Sequence, residues 1–269
     1  MREHRGDPLV MCICLTADRP ELTARAVECF ERQTYEHKEL LVYETGLPMF
    51  GRPKSDPRIA YYLDEDEPTE TRVGVLRNRA NTLACISTAI SPPPDIFAHW
   101  DSDDWSHPYR LAEQVNHLLT SKADCVGYND MLFWHNPPGH AYLYEYWPLT
   151  NNVALGTSLM YWRRAWEKHP FEPVREGEDR KFIKAVMCSG QTSIPSFLSA
   201  EQLAKLNRPR MIAHVHGANT VMTPDRFEQC VNDPTSKNFK RYYGLDGYCR
   251  QVMRCSPQQT ESRRESVCR

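Results

Sequence analysis

An apolar run that empties into three carboxylates constrains this chain more than any other stretch. Ile96 to Trp105 reads Ile-Phe-Ala-His-Trp-Asp-Ser-Asp-Asp-Trp and delivers Asp101, Asp103 and Asp104 at its end. Aspartate is a poor strand former and a good turn residue, so the strand stops near Trp100 and leaves the carboxylates at the carboxyl edge of a sheet. Open α/β sheets bind ligands at that edge. Carboxylates this close repel one another unless a cation sits among them, and hard divalent ions such as Mg²⁺ or Mn²⁺ prefer oxygen ligands. The turn is therefore a candidate metal and diphosphate site. The alternative is an Asp-rich cap on a helix that begins near His107-Pro108.

The residues before this turn read as alternating strands and helices. Leu9 to Leu15 is apolar throughout, as expected of a parallel strand buried on both faces. Thr16-Ala-Asp-Arg-Pro20 then hands over to a helix from about Glu21 to Gln33, with Pro20 at its first position and Leu22, Ala26, Cys29 and Phe30 on one face. A second strand, Glu39 to Tyr43, breaks at Glu44-Thr-Gly46, and the right-handed crossover makes the two strands parallel. Arg58 to Leu63 is a third strand. Val73 to Ile90 is a helix, stopped by prolines 92 to 94. This half carries no G-x-G-x-x-G and no G-x-x-x-x-G-K-[ST], so a bound diphosphate must be met by a metal and by arginines, not by a glycine nest.

The second half is crowded with aromatics. Trp134, Trp147, Trp162 and Trp166 and tyrosines 142, 144, 146 and 161 fall between Tyr128 and Trp166; such rings either stack on a ligand or fill the core. Gly156 to Arg163 reads as a strand. Glu178 and Asp179 follow a glycine at the start of a helix running to about Met187, where a carboxylate serves either as a cap or as a general base. Arg210 to Val215 is apolar and leads into His214 and His216, at alternate strand positions that face the same way; either can be a metal ligand or part of a polar face. A helix from Asp225 to Asn232, a Tyr/Gly segment at Tyr242 to Tyr248 and a polar tail from Ser256 complete the chain. From Ser236 onward eight Lys or Arg stand against three acidic residues, which suits a phosphate-bearing partner or a solvated terminus.

Composition narrows the classes. With 269 residues, 41% hydrophobic and 25% charged, the chain is long enough for a substantial core, and a net charge of −2 argues against a wholesale polyanion binder. Ten scattered cysteines with no Cys-x-x-Cys pair give no zinc framework and are expected to be free thiols. The amino terminus lacks an apolar signal segment and no run is long enough to span a bilayer, so the expectation is a cytoplasmic protein, soluble or peripheral.

The order of these pieces resembles that of the family 2 glycosyltransferases. The motifs are Thr-x-Asp-Arg-Pro (Thr16 to Pro20), Glu-Leu-Leu-Val-Tyr-Glu-Thr-Gly (Glu39 to Gly46), Gly-x-x-Arg-Asn-x-Ala (Gly74 to Ala80), Trp-Asp-Ser-Asp-Asp-Trp (Trp100 to Trp105), Gly-Glu-Asp (Gly177 to Asp179) and His-Gly-x-Asn-Thr (His216 to Thr220). The resemblance covers about Leu9 to Thr220. It implies an α/β fold of the GT-A, Rossmann-like kind: a mixed, mostly parallel central sheet flanked by helices, with a C-terminal helical extension. Residues 1–120 would form the nucleotide-sugar half, 121–225 the acceptor and catalytic half of the same domain, and 226–269 the extension. It further implies that Thr16, Asp18, Arg19 and Glu44 hold the uracil end of a UDP-sugar. Arg77 would lie near the diphosphate, and Asp101 and Ser102 on the ribose or sugar side. Asp103 and His216 would hold Mn²⁺ or Mg²⁺, and Asp179, beside Glu178, would be the base. Two positions depart from the family: Glu44-Thr45 where aspartates are usual, and Ala17 where a tyrosine is common.

The expected reaction is inverting transfer of a sugar from a UDP-sugar to an acceptor hydroxyl on a glycan, a lipid-linked carrier, a protein or a modified nucleic-acid base; aromatic residues and a basic carboxyl end suit the last. A non-catalytic sugar-nucleotide binder is the competing class and predicts binding without turnover. A phosphatase of the haloacid dehalogenase type is a further alternative, but its motif wants Thr or Val where this chain has Trp105, and it leaves the first hundred residues unexplained.

Overall fold

A computed structural model of the chain describes residues 7–46, 56–65, 70–86, 92–145, 154–188, 209–217, 219, 222–233, 235, 236 and 238–254. The expected carboxyl end of the helix after Ile86, Trp147, Tyr146 and the polar tail from Ser256 lie outside these residues.

The first sheet grows from β1 (Val10–Thr16), which is almost wholly buried and pairs in parallel with β2 (Lys38–Glu44) on one side and β4 (Ile96–His99) on the other. β3 (Ile59–Leu63) extends it in parallel beyond β2. Alternation along β1 sends its residues to two cores. Val10, Cys12 and Cys14 pack with Ala26 and Phe30 of α1 (Pro20–Glu31) and Leu111 and Leu118 of α3 (Arg110–Ser121). Met11 and Ile13 pack with Leu76 and Ala80 of α2 (Val73–Ile86) and Phe182 and Ile183 of α5 (Glu178–Cys188). Helices on both faces of a parallel sheet explain why these strands read as unbroken apolar runs. The far edge is antiparallel: β9 (Met160–Trp162) pairs with β4, and β6 (Cys125–Val126) with β9, giving a six-stranded sheet in the order β3-β2-β1-β4-β9-β6.

A second sheet of five strands was not expected from the sequence. Its order is β11-β8-β7-β10-β5, with β5 (Trp105–Ser106), the hairpin β7 (Asp130–His135) and β8 (His140–Glu145), β10 (Met211–Val215) and β11 (Phe239–Arg241). Its core gathers Tyr128, Met131 and Phe133 around Phe227 of α6 (Pro224–Asn232). Trp134, Tyr161 and Trp162 are buried core residues, so the described part of the aromatic run mainly fills the interior.

Two local expectations need correcting. Gly156 to Arg163 is not one strand: Gly156–Ser158 is a 3₁₀ turn, fastened by Ser158 Oγ donating to Leu155 O at 2.7 Å, and only Met160–Trp162 is extended. Arg163–Lys168 forms the short helix α4. His216 lies one residue past the end of β10, not within it. The Tyr/Gly segment at Tyr242 to Tyr248 holds a 3₁₀ turn, Tyr243–Leu245, and the start of α7 (Asp246–Val252). The eight described cysteines are free thiols, five of them buried in the two main cores.

Asp130 faces the register partner Glu145 across the hairpin, and burial followed by the Glu145 charge pushes its carboxyl up to about 7. A carboxyl with a raised folded-state value binds more protons folded than unfolded between about pH 4 and pH 7, so stability falls as pH rises through that window. Asp130→Asn is expected to remove this slope and to raise the urea midpoint at pH 8. Parallel pH profiles for the two proteins would refute it.

Candidate functional site

The acidic turn sits where the two sheets join. Trp100 continues β4 by donating its backbone N–H to Ile13 O at 2.9 Å, and its indole Nε1 donates to Ala26 O at 2.9 Å. Arg110 stacks on this buried ring with its guanidinium 5.0 Å from the centroid. With Trp100 anchored, the chain turns through Asp101 to Asp104 and enters β5, which pairs with β10 of the second sheet. That pairing brings the end of β10, and with it His214 and His216, beside the aspartates.

Each carboxylate meets a different partner. Asp103 Oδ2 receives His216 Nε2 at 3.2 Å, Arg19 Nη1 at 3.2 Å and Asn219 Nδ2 at 3.1 Å. Burial works to raise the Asp103 carboxyl, but the His216 bond and the Arg19 charge outweigh it and hold the group below its ordinary range. Asp104 is buried and turned inward, accepting from Thr157 Oγ1 at 2.5 Å and from the His214 N–H at 3.2 Å. Burial, then the charges of Asp103 and Asp101, drive its carboxyl well above the usual range. Asp101 is the most open of the three and lies 3.5 Å from Arg77 Nη2.

Arg77 connects this turn to α5. It is buried on α2 and donates from Nε to Glu178 Oε1 at 3.1 Å while its Nη2 faces Asp101. Glu178 is therefore engaged in a buried ion pair, with burial raising its carboxyl and Arg77 opposing the rise. Asp179, the next residue, is half-buried; its Oδ1 accepts from the Arg180 N–H at 2.7 Å and its Oδ2 lies over Gly156.

At the end of β1, Asp18 adopts φ 54°, a left-handed conformation that Asp tolerates better than most residues. Glu44 braces this turn: its Oε1 accepts the N–H of Asp18 at 3.1 Å and of Gly46 at 2.9 Å. Thr16 shares a hydrogen bond with Thr23 Oγ1 at 2.8 Å, and Ser102 is buried. Arg19 reaches Asp103, so the β1 turn and the acidic turn are one surface.

Arg25 is a site residue that the sequence reading missed. Fully buried on α1, it donates to the backbone carbonyl of Asp103 through Nη2 and to Met253 O through Nη1 at 2.9 Å, tying the acidic turn to the end of α7. Its Nη2 also lies 3.4 Å from His214 Nδ1. A guanidinium only donates, so Nδ1 accepts and the hydrogen of neutral His214 sits on Nε2. Of the two histidines, it is His216 that turns a ring nitrogen, Nε2, toward the Asp103 carboxylate. The available signal was a charge at position 25 amid the apolar Ala26, Cys29 and Phe30.

The residues fit a divalent cation of the kind that completes its shell from a substrate. Among the described residues no three His, Cys, Asp or Glu form a ready metal cage. A carboxylate and an imidazole converging at 3.2 Å provide two ligands, and ions such as Mg²⁺ commonly take the rest from substrate phosphates and water.

Two sheets, with the acidic turn at the carboxyl edge of the first, define a Rossmann-like GT-A fold. Solved structures of S. aureus TarS share it. TarS matches with a TM-score of 0.53 at 12% identity, over 78% of this chain and 37% of TarS. TarS 1-349 in complex with UDP matches with a TM-score of 0.52 at 13% identity, over 78% of this chain and 61% of that one. The complex of TarS 1-349 with UDP-GlcNAc matches with a TM-score of 0.54 at 12% identity, over 82% and 64%. This chain thus spans less than two thirds of each, and at such identities the likeness is one of fold. No protein-family model matches the sequence, and no similar curated protein is found by sequence. No helix among the described residues is long and apolar enough to cross a membrane.

Arg25→Met is expected to orphan two buried carbonyls and to lower stability by about 3 kcal/mol, with Arg25→Lys recovering less than half because one ammonium replaces a fork. An unchanged urea midpoint for Arg25→Met would show that the link to Met253 and Asp103 carries no stability.

Proposed function

We propose that the protein transfers a glycosyl group from a UDP-sugar to an acceptor hydroxyl, with inversion, using Asp179 as the general base. One observation carries this reading: Asp103 and His216, 113 residues apart, meet at 3.2 Å on the carboxyl edge of a GT-A sheet, the same turn through which Arg77 reaches Glu178 beside Asp179. The UDP and UDP-GlcNAc complexes of TarS make a UDP-sugar the donor of first choice.

In this reading the turn after β1, with Asp18, Arg19 and Glu44, borders the nucleoside, and Asp101 and Ser102 border the ribose and sugar. Thr16, bonded to Thr23, shapes that turn from behind. Asp103 and His216 would hold Mn²⁺ or Mg²⁺, which supplies charge neutralisation to the leaving diphosphate. Arg77 acts through its two carboxylates: it fixes Asp101 on the donor side and Glu178 on the base side, which makes Glu178 a positioning group. As the acceptor oxygen bonds to the anomeric carbon, its proton passes to the Asp179 carboxylate. The anomeric C–O bond breaks on the opposite face and its electron pair leaves with UDP. A single displacement of this kind inverts the anomeric centre.

A thermal-shift screen of UDP, GDP and CDP and their sugars, with and without Mn²⁺, is expected to single out UDP compounds and a manganese-dependent rise in apparent stability. Asp103→Asn and His216→Ala should lose the manganese response while keeping the fold. Asp179→Asn is expected to keep UDP-sugar binding and lose transfer by roughly 10²-fold or more, as for deletion of a general base. An Asn variant with undiminished transfer would remove Asp179 from the role, and indifference to both manganese and UDP would end the reading. Ligand stabilisation with no transfer to any acceptor by the unaltered protein would favour a non-catalytic binder.

A further inference from the structure

The turn opposite Asp179 has a feature that the transfer reading does not itself require. A Cβ built on Gly156 would lie 2.0 Å from Asp179 Oδ2, 2.7 Å from Cγ and 2.9 Å from Cβ, and these are its three nearest neighbours. The carboxylate of Asp179 thus occupies the space that any other side chain at 156 would fill. The backbone at Gly156 does not demand glycine, since among the described residues the positive-φ glycines are Gly139 and Gly177. Space, not conformation, accounts for the residue.

The turn that carries Gly156 is held from the opposite side. Gly156 O accepts from His99 Nδ1 at 2.6 Å; a carbonyl only accepts, so Nδ1 carries the hydrogen. His99 is fully buried at the end of β4, immediately before Trp100 and the acidic turn. Arg110 Nη2 donates to His99 O at 2.8 Å and to Thr157 O at 3.1 Å, and Gln114 Nε2 donates to Ser158 O at 2.7 Å. Thr157 in turn donates to Asp104. The shelf under Asp179 is therefore built from the strand and helix that flank the aspartates, while Asp179 itself arrives on α5.

We propose that Gly156 is a positioning residue for Asp179: its bare Cα, clamped by His99 and Arg110, sets where the carboxylate can lie relative to the acidic turn. This rests on Asp179 being the base. Because the neighbour that must yield is a half-buried side chain at a helix start, a methyl group at 156 displaces the carboxylate and leaves the nucleotide side untouched.

The test is a cycle of Gly156→Ala, Asp179→Asn and the double variant, assayed for transfer with the UDP-sugar selected above. Gly156→Ala is expected to lower kcat by roughly 10²-fold, the scale of a lost general base. KM for the donor and the UDP thermal shift should stay unchanged, and the acidic limb of the pH–rate profile should move. The double variant should be no slower than Asp179→Asn alone. Chemical denaturation supplies a second readout should Gly156→Ala fold poorly: its destabilisation should shrink in an Asp179→Ala background, where the contacts at 2.0 and 2.7 Å are gone and only the Cβ contact at 2.9 Å remains. Wild-type kcat and pH profile in Gly156→Ala, or rate effects that multiply in the double variant, would overturn the proposal. If Asp179→Asn is itself fully active, the base assignment fails and this inference with it. If Asp179→Asn is inactive and Gly156→Ala active, only the inference about Gly156 fails.

Discussion

Three carboxylates in four residues cannot share a buried turn unless each is given its own compensation, and the way this is done organises the molecule. Asp101 faces Arg77 from α2, Asp103 faces Arg19 from the β1 turn together with His216 and Asn219, and Asp104 accepts hydrogen bonds from Thr157 and from the backbone of β10. The partners come from α2, the β1 turn, the turn at Thr157 and the end of β10 with the residues after it, so these elements must converge for the turn to be buried at all. Removing one partner leaves a buried charge without compensation, which is far less favourable than losing an exposed ion pair. The acidic turn is in this sense a constraint on the fold as much as a site upon it.

The same requirement explains the junction between the sheets. β4 ends in the first sheet, the aspartates turn, and β5 starts in the second without an intervening helix. Arg25 and Arg110 fill the angle between them with donors aimed at backbone carbonyls, a use of guanidinium that a lysine's single ammonium cannot reproduce. Met253, at the far end of the described chain, is drawn into the contact through Arg25. The segment after residue 226 therefore contributes an edge strand to the second sheet and a brace to the site.

The sequence disclosed the parts of this arrangement whose signals are local. β1, β2 and β4 are buried on both faces and read as apolar runs; Pro20 marks the start of α1; the aspartates announce the end of a strand. The second sheet has no comparable signal. β7 is buried throughout, with Phe133 and Trp134 on opposite faces, so no two-residue alternation marks it, and it pairs in parallel with β10 across some eighty residues that carry no trace of the pairing in local composition. Gly156 to Arg163 misled because its apolar half is a strand and its first three residues form a turn held by side chains from elsewhere. The residues that meet at Asp103 and His216 lie in short motifs and so were visible in the sequence. Arg25, Thr157 and Gly156 were not, because what makes each of them matter lies more than twenty residues away in sequence.

Arg77 bears on how the two sides of the site are kept in register. It projects from one helix and holds Asp101, which follows β4, and Glu178, which opens α5, within a single buried guanidinium. Its own charge is reinforced there: burial opposes it, but the two carboxylates prevail and hold the group above its ordinary value, so it stays charged throughout the pH range in which the protein is folded. A permanent charge between two acids acts as a fixed spacer, because moving either carboxylate away exposes an uncompensated ion in a low-dielectric interior. Asp179 follows Glu178 directly, and its carboxylate is held on one side by the Arg180 N–H at 2.7 Å. Arg77 fixes the start of α5 and the Arg180 N–H takes one carboxylate oxygen, so the surface that meets the other oxygen is the turn at Gly156.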